Sequence, residues 1–190
     1  SVTFTATVTA GATGTVSFLD GSTTIGTGVI SGGIATFTTS ALSVGTHSIT
    51  ASYGGNATYN TSTSNAVSQV TNKAPTTTSV VSNSNPSVVG GSVTFTATVT
   101  AGATGTVSFI DGSTKIGTGD ISAGVATFTT STLSVGTHSI TASYGGDANY
   151  LASTSSAVSQ VVNKAPTTVS LVSGTNPSTV GGSVTFTATV

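Results

Sequence analysis

Hydrophobic and polar side chains alternate strictly over several short stretches of this chain. In Val93–Val99 the valine, phenylalanine and alanine residues occupy every second position, and threonine occupies the positions between them. In Thr137–Tyr144 histidine, isoleucine, alanine and tyrosine alternate with threonine and serine in the same way. Successive side chains of a β-strand point to opposite faces, so this period of two predicts strands with one face in a core and the other in water.

Turn-forming residues separate these runs. Asp111-Gly112 is a strong hairpin signal, and Gly145–Asp147 predicts a loop. No stretch has a helical period. The predicted strands of this part of the chain are Thr76–Ser82 with a short piece at Val88–Val89, then Val93–Val99, Thr106–Ile110, Thr114–Thr118, Val125–Thr130, Thr137–Tyr144 and Ser155–Val162. About seven short antiparallel strands with turns between them are typical of an immunoglobulin-like β-sandwich. The predicted core consists of Phe95, Phe109, Phe128, Ile140 and Tyr144.

The same pattern occurs more than once. The string SVTFTATV begins at Ser1, Ser92 and Ser183, and LSVGTHSITASYGG begins at Leu42 and again at Leu133, at an offset of 91 residues. About 17 of the 91 paired positions differ, far fewer than a packed fold tolerates. We therefore predict tandem domains, each long enough to have its own core.

The repeat divides the chain into three parts. We predict that residues 1–73 form a repeat that lacks its first strand, residues 74–163 a complete repeat, and residues 164–190 the first strands of a third. The incomplete parts are expected either to belong to a longer continuous chain or to borrow strands from neighbouring chains. Seven alternating strands place entry and exit at opposite poles, and the linker Asn72–Pro75 is short, so the sequence predicts an extended rod.

Composition excludes several classes of function. Charged residues make up 4% of the chain, and the formal net charge is −1, which argues against nucleic-acid binding through phosphate neutralisation. No apolar run is long enough to span a membrane as a helix. Cysteine is absent, so disulfide bonds are excluded.

Three stretches of the second copy resemble a known family. They are Val93–Val99, FIDGSTKIGTG at Phe109–Gly119, and LSVGTHSITASYGGDANY at Leu133–Tyr150. Together they are similar to the bacterial immunoglobulin-like repeats of group 3. The resemblance implies a β-sandwich in a large secreted or surface protein, and it carries no catalytic residue. The first copy has Asn56 in place of the aspartate of the G-D-x-N-Y loop.

Candidate chemistry is sparse. His47 and His138 lie at equivalent inward positions, where a histidine bonded to backbone is favoured over a catalytic one. Asp20, Asp111 and Asp147 are isolated in sequence, which favours turn residues over calcium ligands. No nucleophile motif is present. We therefore predict no enzyme activity, no catalytic, cofactor-binding or metal-binding residue, and no cofactor.

Neither of two kinds of covalent modification is supported by both copies. An intramolecular isopeptide bond is disfavoured, because Lys115 is a threonine in the first copy and Lys73 and Lys164 lie in linkers. Asn56-Ala57-Thr58 and Asn60-Thr61-Ser62 are glycosylation sequons, but the second copy has neither.

The sequence leaves three functions open. The first is a structural segment of an extracellular or cell-surface protein, forming a stalk, spacer or self-associating fibre, with neighbouring repeats and other copies as partners. It is favoured because few loop aromatics support binding. The scarcity of charge fits either a neutral stalk or copies that pack side by side, since sandwiches ordinarily protect their edges with charged residues. The second is an adhesin repeat whose loops bind a glycan or a host protein, for which Tyr59 and Tyr150 are the candidate loop aromatics. The third is an accessory immunoglobulin-like domain of a phage virion.

Overall fold

The computed structural model describes residues 1–190, and all of its regular structure is β-strand. The strands of the first copy are β1 (Val2–Thr7), β2 (Thr15–Asp20), β3 (Thr23–Val29), β4 (Ile34–Thr39), β5 (Gly45–Tyr53), β6 (Ser62–Thr63) and β7 (Val67–Thr71). Those of the second copy are β8 (Thr78–Ser82), β9 (Ser87–Val88), β10 (Val93–Val99), β11 (Thr106–Asp111), β12 (Thr114–Asp120), β13 (Val125–Thr130), β14 (Gly136–Tyr144), β15 (Ser153–Thr154) and β16 (Val158–Asn163). The third copy contributes β17 (Ser170–Ser173) and β18 (Phe186–Thr189). The prediction of an all-β chain is confirmed.

The second copy consists of two sheets. One has the order β13-β10-β8, and the other the order β12-β11-β14-β16-β9, with β15 paired to the end of β14. Seven of its nine strands are longer than two residues, in agreement with the predicted seven. All pairs are antiparallel except β16 with β9, which is parallel. The segment that contains β8 and β9 thus begins in one sheet and ends in the other, as expected of an immunoglobulin-like sandwich.

The core of the second copy lies between these sheets. Phe95, Phe109 and Ile140 are fully buried and Tyr144 is 1% exposed, which confirms four members of the predicted core. The fifth, Phe128, is half-buried, and its ring stacks on Phe109 with centroids 5.7 Å apart. The inward residues of β10 are all buried, and its threonines are half-buried or exposed, so the alternation in the sequence is the alternation of the two faces.

At one side of the sandwich, two glycines of β12 allow that strand to lie close to β13. A Cβ atom on Gly117 would overlap the ring of Phe128, and one on Gly119 would overlap the backbone carbonyl oxygen of Thr127. The two strands can therefore approach only because these positions carry no side chain.

Two details of the strand prediction were wrong. The final strand of the second copy was predicted over Ser155–Val162, but it begins only at Val158, in β16, and the short β15 (Ser153–Thr154) lies before the predicted range. The reason is Ser155, whose hydroxyl accepts the N–H of Ala142 at 2.9 Å and replaces a backbone partner there. Ile34 and Val125 occupy equivalent positions and exchange one aliphatic for another, which favours burial, but they are 46% and 38% exposed at the starts of β4 and β13.

The first copy repeats this plan with one difference. Its sheets are β1-β4 and β3-β2-β5, with β6 and β7 paired to β5. No strand lies beside β1 on the side where β8 lies beside β10, and the inward residues of β1 are only half-buried. A groove of about 590 Å³ is open at this side.

The chain forms two compact units. The first consists of Ser1–Thr76 with Gly146–Ala152, and the second of Thr77–Gly145 with Ser153–Val190. Within the first, the Nζ of Lys73 donates to the main-chain oxygen of Asp147 at 2.6 Å, and Ala74 forms a parallel bridge with Tyr150. No helix of a length and polarity suited to crossing a membrane is present.

Candidate functional site

A histidine–aspartate pair occupies the same place in both copies. In the first copy Asp20 ends β2 and His47 lies near the start of the adjacent strand β5. The Nδ1 of His47 is 2.7 Å from Oδ2 of Asp20, and its Nε2 is 2.9 Å from the carbonyl oxygen of Ser43. The other carboxylate oxygen of Asp20 accepts the N–H of Ser48 at 3.2 Å.

The second copy has the same arrangement with equivalent residues. His138 lies 2.6 Å from Asp111 and 2.9 Å from the carbonyl oxygen of Ser134. The structure thus bears out the inward position and the backbone bond expected of both histidines, and it adds a carboxylate partner that sequence reasoning missed. Asp111 also ends the hairpin strand, and Gly112 follows with φ of 58°, so the hairpin forms as predicted.

The pKa of both histidines is raised above its ordinary value. The hydrogen bond to the Ser43 carbonyl, followed by that to the Asp20 carboxylate, raises the pKa of His47 above the ordinary 6.5, while burial opposes the shift. Ser134 and Asp111 raise the pKa of His138 in the same way. The cause is that each ring lies between two acceptor oxygens, and only the imidazolium can donate from both nitrogens.

Each histidine of these pairs has both ring nitrogens bonded within the fold. With both ring nitrogens bonded, neither is available to take a proton from a nucleophile, as general-base catalysis requires. No group of three or more histidine and acidic side chains is placed to hold a metal ion. The arrangement ties β2 to the start of β5.

In the loop predicted at Asp147, the aspartate side chain accepts hydrogen bonds from the backbone N–H groups of the turn. Oδ1 of Asp147 accepts the N–H groups of Asn149 and Tyr150 at 2.8 and 2.9 Å. In the first copy Oδ1 of Asn56 accepts the two equivalent N–H groups at 2.8 Å each. The turn needs only an oxygen at this position, which explains why asparagine and aspartate exchange there.

The candidate ligand-binding groups of the first-copy loop are partly engaged in the fold. The hydroxyl of Tyr59 donates to the carbonyl oxygen of Ala10 at 3.0 Å, and its ring packs against the core. The side-chain amide of Asn56, the acceptor of the first sequon, donates to the hydroxyl of Thr13 at 3.2 Å. The second sequon residue, Asn60, is exposed.

Threonine covers the outer face of the sheet formed by β10 and β13. Pairs of threonine lie directly opposite each other, including Thr94 with Thr129 and Thr96 with Thr127. The hydroxyls of Thr94 and Thr129 are 2.8 Å apart, as are those of Thr3 and Thr38 in the first copy. This face is neutral and hydroxyl-rich, and it contains no charged side chain.

Gln160 is a buried polar residue that sequence reasoning did not identify. It is fully buried, and its Oε1 accepts the hydroxyl of Ser82 at 2.6 Å. Its Nε2 donates to the carbonyl oxygen of Ser84 at 2.9 Å and lies 3.2 Å from the hydroxyl of Ser87. Gln160 thereby fixes the segment that connects β8 to β9. The surrounding sequence, Ser-Gln-Val, did not indicate that Gln160 is buried, because a glutamine in a strand ordinarily faces solvent.

Sequence comparison identifies the family directly. The family model described as bacterial Ig-like domain (group 3) matches residues 1–72 and residues 80–163. Among curated proteins none matches the chain.

Solved structures that are similar to this chain include the following two. Fibronectin(III)-like modules of CbhA from Clostridium thermocellum are 20% identical, with a TM-score of 0.39, and the match covers 86% of this chain and 85% of theirs. A structure from work on the host cell surface retention of a 1.5-MDa bacterial ice-binding adhesin is 18% identical, with a TM-score of 0.37. That match covers 90% of this chain and 61% of the adhesin chain. The chain, with its repeated sandwich and the family match over most of its length, belongs to the bacterial Ig-like domain (group 3) family.

Proposed function

We propose that the chain is a non-catalytic structural segment of an extracellular or cell-surface protein, in which the repeats extend or space the molecule and associate side by side with other copies. The family to which it belongs supports a structural or adhesive surface role. Immunoglobulin-like domains are generally non-catalytic, and the histidine–aspartate pairs have no nitrogen free for catalysis.

The observation that carries the proposal is the neutrality of the outer faces. The whole chain contains three lysines and four acids, and two of the acids, Asp20 and Asp111, are paired with histidine. β-Sandwich proteins ordinarily prevent contact between edges and faces with charged side chains, especially lysine. Two threonine-covered faces of this chain meet almost no electrostatic repulsion.

Hydroxyl pairing supplies the attraction. Thr98 is exposed, and Thr96 is half-buried on the same face of β10. On the other sheet Thr137 and Thr141 of β14 face outward in the same way. Each hydroxyl can donate one hydrogen bond and accept others, so opposed faces can form bonds across a contact. The loops favour adhesion less, because the hydroxyl of Tyr59 and the amide of Asn56 already have partners in the fold.

The proposal is tested by placing charge on these faces. Lysine at Thr96, Thr98, Thr137 and Thr141, and at the equivalent positions Thr5, Thr7, Thr46 and Thr50, is expected to keep the fold and disperse side-by-side bundles. Bundles are observed by electron microscopy and light scattering, and the fold by circular dichroism. The matched control replaces the same threonines with serine, which keeps the hydroxyls and adds no charge.

The outcomes separate clearly. Lateral bundles in the wild-type and serine chains, with none in the lysine chain, support the proposal. A wild-type chain that forms no side-by-side contacts at high concentration contradicts the fibre role and leaves a simple stalk or spacer.

A further inference from the structure

Two segments of the second copy meet side by side where the chain enters and leaves this domain. The entering segment is residues 82–89, which follow β8 and contain β9. The leaving segment is β16, after which the chain continues toward β17. Because the chain extends beyond both segments, tension along it acts on the second copy through them.

The two segments run in the same direction. β9 and β16 form a parallel pair, with Ser87 opposite Val162 and Val88 opposite Asn163. Tension pulls β9 toward the residues that precede it and β16 toward the residues that follow it, so the two strands are displaced in opposite directions along their length. All bonds between them are then loaded at once. Two strands that are pulled apart from one end, by contrast, lose their bonds one at a time.

Side chains of the entering segment add bonds to β16. The side-chain amide of Asn85 donates to the carbonyl oxygen of Ser159 at 2.7 Å, and its Oδ1 accepts the N–H of Val161 at 3.0 Å. Four residues further on, the N–H of Val89 donates to the carbonyl oxygen of Asn163 at 2.9 Å. The side chain of Asn85 therefore takes the place of a backbone partner beside β16.

Gln160 adds bonds in the opposite sense, from β16 to the entering segment. Its amide bonds the hydroxyl of Ser82 and the carbonyl oxygen of Ser84 and lies 3.2 Å from the hydroxyl of Ser87. Gln160 is fully buried, so water does not compete for these bonds. Bonds thus cross from one segment to the other all the way from residue 82 to residue 89. We call residues 82–89 and 159–163 together the clamp.

We propose that the clamp gives the second copy a load-bearing function and keeps the domain folded while the chain is under tension. The domain unfolds under load only when residues 82–89 slide along β16, which breaks the bonds of Asn85, Val89 and Gln160 together. This function goes beyond extension and spacing. It does not depend on lateral association, because every bond of the clamp lies within one chain.

The direction of pulling tests the clamp. The chain has no cysteine, so two introduced cysteines fix the points at which force is applied, and the three positions used are exposed. Thr77→Cys with Lys164→Cys loads the clamp along its length. Ser113→Cys with Lys164→Cys pulls across the strands, because the β11–β12 turn and β16 lie on opposite sides of β14 in one sheet. In single-molecule force spectroscopy at one constant force, the folded state should last at least about tenfold longer in the first geometry.

A matched pair of substitutions separates load bearing from ordinary stability. Asn85→Ala removes two hydrogen bonds of the clamp, and Asn85 is exposed, so the core is left intact. Asp111→Ala is the control. It also removes two hydrogen bonds, to His138 and to the N–H of Ser139, but these join β11 to β14 and lie off the path from entry to exit.

The two variants should differ under force and not in a thermal melt. Only bonds that break in the transition state for unfolding change the unfolding rate. With force applied at positions 77 and 164, we expect Asn85→Ala to shorten the folded lifetime about tenfold and Asp111→Ala about twofold or less. Thermal melts followed by circular dichroism should show that both variants fold and that Asp111→Ala is at least as destabilising as Asn85→Ala.

Three results would overturn the proposal. They are equal lifetimes in the two pulling directions, equal effects of the two substitutions on the lifetime, and a lifetime that Asn85→Ala does not change. The force measurement is made on single molecules, and the lysine substitutions described above lie outside the clamp. The failure of either proposal therefore leaves the other intact.

Discussion

At the level of single residues, the histidine–aspartate pairs make stability depend on pH. The strand period placed His47 and His138 inward, where each lies beside an aspartate of the neighbouring strand. The pKa of each histidine is raised in the folded chain, so the folded state binds protons more tightly than the unfolded state. The stabilisation is complete below the ordinary pKa of 6.5 and is lost as the pH rises through the raised folded value. We expect the melting temperature to fall as the pH rises above about 6.5. Thermal melts followed by circular dichroism measure it, and the double variant His47→Gln, His138→Gln should show a flatter profile. The sequence could not reveal Asp20 as a partner 27 residues away, because that contact depends on the pairing of β2 with β5.

Gly119 is expected to tolerate no side chain. A methyl group there overlaps the backbone carbonyl oxygen of Thr127, which cannot move without separating β12 from β13. Gly119→Ala should destabilise the second copy by about 1–3 kcal/mol, the usual cost of overpacking. Gly145 is the control, because a Cβ atom there contacts nothing within 4 Å. Urea denaturation that shows equal losses for Gly119→Ala and Gly145→Ala would contradict this explanation.

At the level of elements, the alternation of polar and apolar residues predicted where the strands lie. It did not predict the positions at which a side chain takes the place of a backbone hydrogen-bond partner. The predicted strands of the second copy agree with the structure to within a few residues, and the hairpin at Gly112 forms as expected. The break at Ser155 was missed, because a serine hydroxyl that accepts a strand N–H leaves the polar–apolar pattern unchanged. The role of Gln160 was missed for the same reason, since its partners come from a segment about 75 residues earlier.

Gln160 should therefore matter much more than its equivalent Gln69. Gln160→Ala leaves the hydroxyl of Ser82 and the carbonyl oxygen of Ser84 without their partner in a buried site. The expected cost is about 2–3 kcal/mol, and Gln69→Ala should cost under about 1 kcal/mol in the monomeric chain. Hydrogen exchange resolved by peptide separates the two copies. For Gln160→Ala we expect loss of protection in β8 and β9. Similar losses in both copies for both variants would contradict the role given to Gln160.

At the level of the whole molecule, the repeat carried most of the information about fold. An offset of 91 residues and one alternating pattern were sufficient to predict tandem all-β sandwiches, which the structure and the family match confirm. The side chains that surround the open side of β1 could not be predicted, because they depend on how the two sheets pack. Contacts with other molecules could not be predicted, since copies this similar do not distinguish residues retained for binding from residues retained for folding.

Residues 74–163 are predicted to fold alone as a cooperative all-β unit. The fully buried residues of the second copy, from Val93 to Gln160, fall within this range. Phe95 is fully buried, so Phe95→Ala should cost about 3–5 kcal/mol, a large part of the stability of a domain. Thr98→Ala, on the exposed face of the same strand, is the control. Circular dichroism and thermal melts measure both, and an isolated segment without strand signal would show that the boundaries are wrong.

Lateral assembly is predicted to be insensitive to salt. An assembly held by surface charges weakens as salt rises, because charges further apart than the Debye length, about 10 Å at 0.1 M, are screened from each other. The outer faces of β10 and β13 carry threonine, and bonds between hydroxyls contain no ionic term to screen. Backbone hydrogen bonding between exposed edge strands does not depend on salt concentration either. Light scattering of the chain at about 0.05 M and about 1 M sodium chloride should therefore give bundles of similar mass. Dissolution of the bundles at high salt would show that the few lysines and aspartates hold them together, and the hydroxyl-face mechanism would then fail.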